Sequence, residues 1–154
     1  MNIAVSEAKG ARINETALRE FAASILSAEG VRDDASLSIS FVDSAEIADL
    51  NERFLGNQRP TDVLSFPIED AAPGVPPSSP VYGPPLELGD IFICATVVAD
   101  HAESLGVAFE DELYLMVAHG VLHILGWDHE NGVDAQMMET REAKHLKTIG
   151  RTRR

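Results

Sequence analysis

At 154 residues, 45% of them hydrophobic, the chain has the size of one globular domain, residues 1–154, that buries its core without staples. Its single cysteine, Cys94, excludes an intrachain disulfide and a cysteine-based zinc knuckle, which suits a reducing compartment. A formal net charge of −13 works against a polyanionic partner, because such binding rests on cations that displace condensed counterions.

Residues 2–6 read as a short strand, with no basic start and apolar core of the kind a secretory signal needs. Residues 14–29 follow as an amphipathic helix: Asn14 is its N-cap, Leu18, Phe21, Ala22, Ile25 and Leu26 its inner stripe, and Gly30 its end. In the strand 36–41, Leu37, Ile39 and Phe41 alternate with serines, so one face is buried and the other carries small hydroxyls. Asp43 caps a second helix with Glu46 in the capping-box position, and Ile47, Leu50 and Phe54 form its inner stripe up to Gly56.

The run from Arg59 to Pro67 predicts a strand bounded by prolines. Six of the eight prolines then fall between residues 73 and 85, which marks a Pro-rich loop over 71–87, either a mobile flap or an inert insertion. A strand resumes from Leu86 to Cys94, with Gly89 suggesting a bulge or a close backbone approach. A short helix over 96–105 closes at Gly106. The next begins with Glu110, Asp111 and Glu112 at its positive dipole end and is apolar nearly all round to Leu125, hence buried on most sides. That run, Tyr114 to Trp127, is too short to span a bilayer, and a soluble cytoplasmic protein with no membrane partner is expected. A last helix spans 133–149, with Val133, Met137 and Leu146 inward. The order predicts an α+β fold: a small mixed β-sheet packed with helices, the histidine-bearing helix in the core.

Basic residues cluster at the two ends. Lys9, Arg12, Arg19, Arg32, Arg53 and Arg59 precede residue 60, and Arg141, Lys144, Lys147, Arg151, Arg153 and Arg154 follow residue 140. Most of the surface is therefore expected to repel a phosphate backbone. A bound dication, a few placed arginines and the basic last segment would make a local attractive lane, although a helix end complementing its own dipole explains that segment equally well.

Chemistry concentrates in His119-Gly120-Val121-Leu122-His123-Ile124-Leu125-Gly126-Trp127-Asp128-His129. His119 and His123, four apart on a helix, project from one face about one turn apart, and a turn at Gly126 lets His129 swing back toward the same ion. Three of the chain's five histidines fall in these eleven residues; His101 and His145, alone among charged neighbours, read as surface residues. Three imidazoles leave a fourth metal position open, as in catalytic zinc, and Zn2+ suits imidazole best, with nickel, copper and iron as alternatives. Asp128 reads as a carboxylate steadying an imidazole N–H, as a fourth ligand or as a turn residue. The spacing HxxxHxxGxxH resembles that of the metzincin proteases, except that Gly120 stands where those enzymes carry the glutamate base. Peptide hydrolysis thereby lacks its proton carrier, whereas a phosphodiester, with a less basic leaving oxygen and, in RNA, an internal 2′-hydroxyl, needs it less.

The HGVLHILGWDH run, with Pro60-Thr61-Asp62-Val63-Leu64-Ser65-Phe66-Pro67 and Leu88-Gly89-Asp90-Ile91 before it, resembles the YbeY family of bacterial endoribonucleases over most of the chain. The resemblance implies one zinc ion on His119, His123 and His129 and cleavage of single-stranded RNA. It further implies a role in maturing the 3′ end of small-subunit ribosomal RNA and in ribosome quality control, with the small ribosomal subunit and its proteins as partners. It also places Ser65 and Asp90 in the metal crevice. One departure matters. Family members commonly read Tyr-Arg-Gly where this chain has Phe54-Leu55-Gly56, and that arginine is assigned a functional role. Arg59 or Arg53 then substitutes for it, or cleavage is weaker. Arg59 is favoured as the catalytic cation, because Pro60 stiffens the backbone behind it and a two-residue offset turns Arg53 about 200° around its helix from Leu55. Two other readings stay open: a ribosome assembly factor whose zinc is structural, and a metal-dependent hydrolase of another substrate.

Overall fold

The computed structural model describes residues 1–6, 13–68, 71–77 and 84–154. Lys9, Arg12 and residues 78–83 of the expected Pro-rich loop lie outside the described residues; within that loop, Ala72 and Val75 form an isolated antiparallel bridge.

β1 (Asn2–Val5), β2 (Ser36–Phe41), β3 (Val63–Pro67) and β4 (Glu87–Ile93) make one sheet in the order β1-β2-β4-β3. The pairs β1·β2 and β2·β4 are parallel, and β3 closes the far edge antiparallel to β4, so the sheet is mixed. Leu37, Ile39 and Phe41 pair with Gly89, Ile91 and Ile93, and Ile91 pairs in turn with Ser65. Side chains alternate across a strand, so these residues share one face. The other face carries Ser36, Ser38 and Ser40 with Asp90, Phe92, Leu64 and Phe66.

Each face receives its own helices. The main core joins the first face to α1 (Glu15–Ala28) and α4 (Phe109–Ile124), through residues such as Phe21, Ile25, Val117 and Val121. On the second face Ile47 and Leu50 of α2 (Ser44–Leu55) meet Leu64, Phe66 and Phe92. α3 (Ala95–Leu105) and α5 (Gly132–Lys147) flank α4, completing the expected α+β architecture with the histidine helix in the core. The expected caps are present: Asn14 Oδ1 accepts from Ala17 N at 3.0 Å and Asp43 Oδ1 from Glu46 N at 2.8 Å.

Three expectations are corrected. Phe54 is 58% exposed, its ring resting on Phe66 with centroids 5.1 Å apart. In α5, Val133 and Met137 are exposed, and the buried stripe is Met138, Glu142, His145 and Leu146. His145, expected at the surface, is buried because it lies on that stripe against the end of α1, where its Nε2 sits 2.7 Å from Glu29 Oε1. His101 is exposed as expected, with Nδ1 3.3 Å from Asp62 Oδ2.

α4 crosses the first face at Gly120. A Cβ there would lie 3.0 Å from Ile91 Cγ2, 3.3 Å from Ser65 Oγ and 3.3 Å from Val63 Cγ2, all closer than ordinary contact. Ser65 Oγ also donates to the Gly120 carbonyl at 3.1 Å. Gly120→Ala gains up to about 1 kcal/mol of helix propensity but overpacks the helix–sheet seam, which typically costs about 1–3 kcal/mol. Denaturant melts of the metal-free protein should therefore find Gly120→Ala destabilised and Gly120→Glu far more so. A Gly120→Glu protein as stable as the parent would refute the close approach.

Candidate metal centre

α4 carries His119 and His123 on the side facing β3, both half-buried, and then ends in a tight reversal. Gly126 N donates to His123 O at 3.0 Å and Trp127 N to Leu122 O at 3.0 Å, the paired bonds of a Schellman turn. Gly126 takes φ +93°, and a Cβ on it would run into the backbone of Ala71. The reversal returns His129 to the other two: ring centroids lie 4.5 Å apart for His119 and His123, 5.4 Å for His119 and His129, and 5.1 Å for His123 and His129.

The donor set fits a metal ion. One nitrogen from each ring lies within 4.8 Å of the others, and His119 Nε2 and His123 Nε2 are 3.0 Å apart. Tetrahedral zinc with Zn–N distances near 2.0–2.1 Å needs nitrogens roughly 3.3 Å apart. His129 is the exposed member of the three, on the turn after α4. Burial first, then repulsion from His119 and His129, hold His123 at a pKa of about 4, so its ring is neutral at pH 7 and its lone pair is free for a ligand.

The histidines line a crevice of about 600 Å³ together with β3, Thr61, Asp62, Leu55 and Trp127. Ser65 lines it, as expected. Asp90 does not: the register puts it on the other face of the sheet, opposite Phe66. Asp128 is a turn residue here, its Oδ1 accepting from His129 N at 2.7 Å. Arg59 is exposed and does not line the crevice, although Thr61, two residues on, does; its backbone is held by Asn51 and Asn57, and Arg53 pairs with Asp49 at 3.6 Å. The expected basic lane is largely neutralised, since Arg151 pairs with Glu110 and Asp111, Arg153 with Glu139 and Glu142, and Arg154 with the buried Glu112.

Sequence reasoning missed Glu142, whose Oε1 lies 3.3 Å from His119 Nδ1. Its signal was positional: it stands four residues from both Met138 and Leu146, on the inner stripe of α5.

Fold and site together define a class, an α+β domain in which three histidines able to hold a metal ion line a crevice. The profile of the family described as Endoribonuclease YbeY matches residues 3–150, and the chain belongs to that family. It is 43% identical to Endoribonuclease YbeY of Rhodococcus erythropolis (strain PR4 / NBRC 100887) over 129 residues, 84% of this chain and 71% of that protein. To Endoribonuclease YbeY of Nocardia farcinica (strain IFM 10152) it is 38% identical over 146 residues, 95% of this chain and 79% of the relative. The solution structure of TM1509 from Thermotoga maritima aligns with a TM-score of 0.64 at 31% identity, covering 96% of this chain and 87% of that one.

A histidine held neutral by the fold makes the metal-free protein sensitive to acid. The folded pKa of about 4 lies below the unfolded value near 6.5, so the contribution of His123 is fully present above pH 6.5 and is lost as pH falls through 4. Thermal melts in chelator should fall over this window, and more shallowly for His123→Gln; parallel pH profiles would contradict the assignment.

Proposed function

We propose that the chain is a zinc-dependent, single-strand-specific endoribonuclease. In this reading it is a cytoplasmic protein of one domain that acts on ribosomal RNA, in maturation of the 3′ end of the small-subunit species and in ribosome quality control. The observation that carries the reading is the convergence of His119, His123 and His129 at the floor of an open crevice, in a chain of the YbeY family.

Bound there, zinc supplies Lewis acidity toward a phosphoryl oxygen and lowers the pKa of water to about 7. The rest falls to the chain's own groups. A crevice of about 600 Å³ has the scale of a small-molecule site, which favours nucleotides splayed from a single strand over an intact duplex. Leu55, Pro67 and Trp127 offer apolar surface to a base, and Thr61 a hydroxyl to its polar edge. Arg59 meets the phosphate: its guanidinium has no carboxylate partner among the described residues, unlike those of Arg53, Arg151, Arg153 and Arg154. The missing glutamate disfavours peptide hydrolysis, and a side chain at residue 120 would crowd Ile91, Ser65 and Val63.

The purified protein is expected to carry about one zinc per chain, lost in the His119→Ala, His123→Ala double variant, and to cleave single-stranded RNA in preference to duplex. No zinc, or zinc retained by the double variant, would refute the metal assignment; zinc without cleavage would favour a ribosome assembly factor. Arg59→Ala should cut RNA cleavage by about 10–100-fold, the scale of a hydrogen bond to a charged group, and flatten its salt dependence, with zinc content unchanged. Unchanged cleavage in Arg59→Ala with loss in Arg53→Ala would move the role to Arg53.

A further inference from the structure

A carboxylate taken almost wholly out of water needs partners that justify it, and those of Glu142 lead to the metal centre. Its side chain is 3% exposed. Oε1 lies 3.3 Å from His119 Nδ1, and Oε2 accepts from Arg153 Nε at 3.3 Å. Arg153 itself is steadied by Glu139 Oε1 at 3.5 Å. On the opposite edge of the His119 ring, Nε2 faces His123 Nε2 at 3.0 Å. The two nitrogens of His119 are thus separated by task, one turned to the carboxylate and the other to the place where the three imidazoles meet.

We infer that Glu142 is a positioning residue for the metal centre, fixing His119 in the tautomer and ring orientation that present a bare Nε2 to the ion. A neutral imidazole has one N–H and one lone pair, and the hydrogen bond made by one nitrogen decides the role of the other. A buried carboxylate only accepts, so the proton of His119 is kept on Nδ1, and Nε2 is left as the ligand. Arg153 holds the carboxylate from behind, so its direction is set by the packing of α5 and the segment after it on α4. His123 is served differently, by a hydrogen bond with the Trp127 backbone. Asp128, the carboxylate nearest the motif in sequence, is engaged by the backbone N–H of His129.

This inference rests on the metal reading, and its test separates the two. Zinc affinity is measured by competition with a chromophoric chelator for the parent, Glu142→Gln and Glu142→Ala. Long-range proton–nitrogen NMR of the metal-free parent and variants at pH 8 reports the tautomer of His119. The parent is expected to hold His119 as the Nδ1–H form, and both variants to lose that preference and bind zinc about 10–100-fold more weakly while keeping the parent's circular dichroism. Equal zinc affinity in folded variants, or a parent His119 protonated on Nε2, would overturn the role of Glu142 and leave the three-histidine site standing. A parent that binds no zinc would overturn the metal reading itself. Should both variants fail to fold, the tautomer in the parent still decides.

Discussion

Helix α4 lies close against β3 and β4 at Gly120, where a side chain would crowd Ile91, Ser65 and Val63, and the placement of the histidines follows from that contact. With the backbone of Gly120 close to Ile91 and Val63, and its carbonyl taken up by Ser65, His119 and His123 are carried together into the crevice that β3 also lines. The Schellman turn at Gly126, packed against the backbone of Ala71, adds the third imidazole. One steric constraint therefore places the ligands and removes the position from which a protease draws its base.

Buried carboxylates tie α4, α5 and the end of α1 together. Glu112 receives Arg154 through two nitrogens at 2.7–3.1 Å, His145 meets Glu29, and Glu142 is shared between His119 and Arg153. Breaking such a pair strands a charge away from water, at about 3–5 kcal/mol, so these contacts fix where α5 and the segment after it lie. They also bear on the charge of the chain. With net charge −13 and the last arginines committed to carboxylates, long-range attraction for a polyanion is weak, so the proposed function leaves recognition to the metal and to locally placed cations such as Arg59.

The parts legible in the sequence are those whose physics is local. Asn14, Asp43 and Gly126 mark helix ends by bonds reaching only a few residues, α1 buries the five residues of its apolar stripe, and the histidine spacing is a property of one turn of helix. What stayed hidden depends on partners distant in the chain. The inner stripe of α5 has regular helical spacing, but Glu142 and His145 occupy half of it, so apolar periodicity pointed instead to Val133 and Met137. Their partners, His119 and Glu29, lie 23 and 116 residues away. Asp90 misled for a related reason: proximity in a motif says nothing about which face of a strand a residue takes, and register with Phe66 decides it.

The central claim is that three imidazoles from one helix and its terminal turn share a single ion with a position left open. Anomalous diffraction at the zinc edge from zinc-loaded crystals tests it most directly. One peak per chain is expected about 2.0–2.1 Å from a ring nitrogen of each of His119, His123 and His129, with no fourth protein ligand and with Nε2 as the donor of His119. A peak elsewhere, or a side chain such as that of Asp128 closing the fourth position, would contradict it.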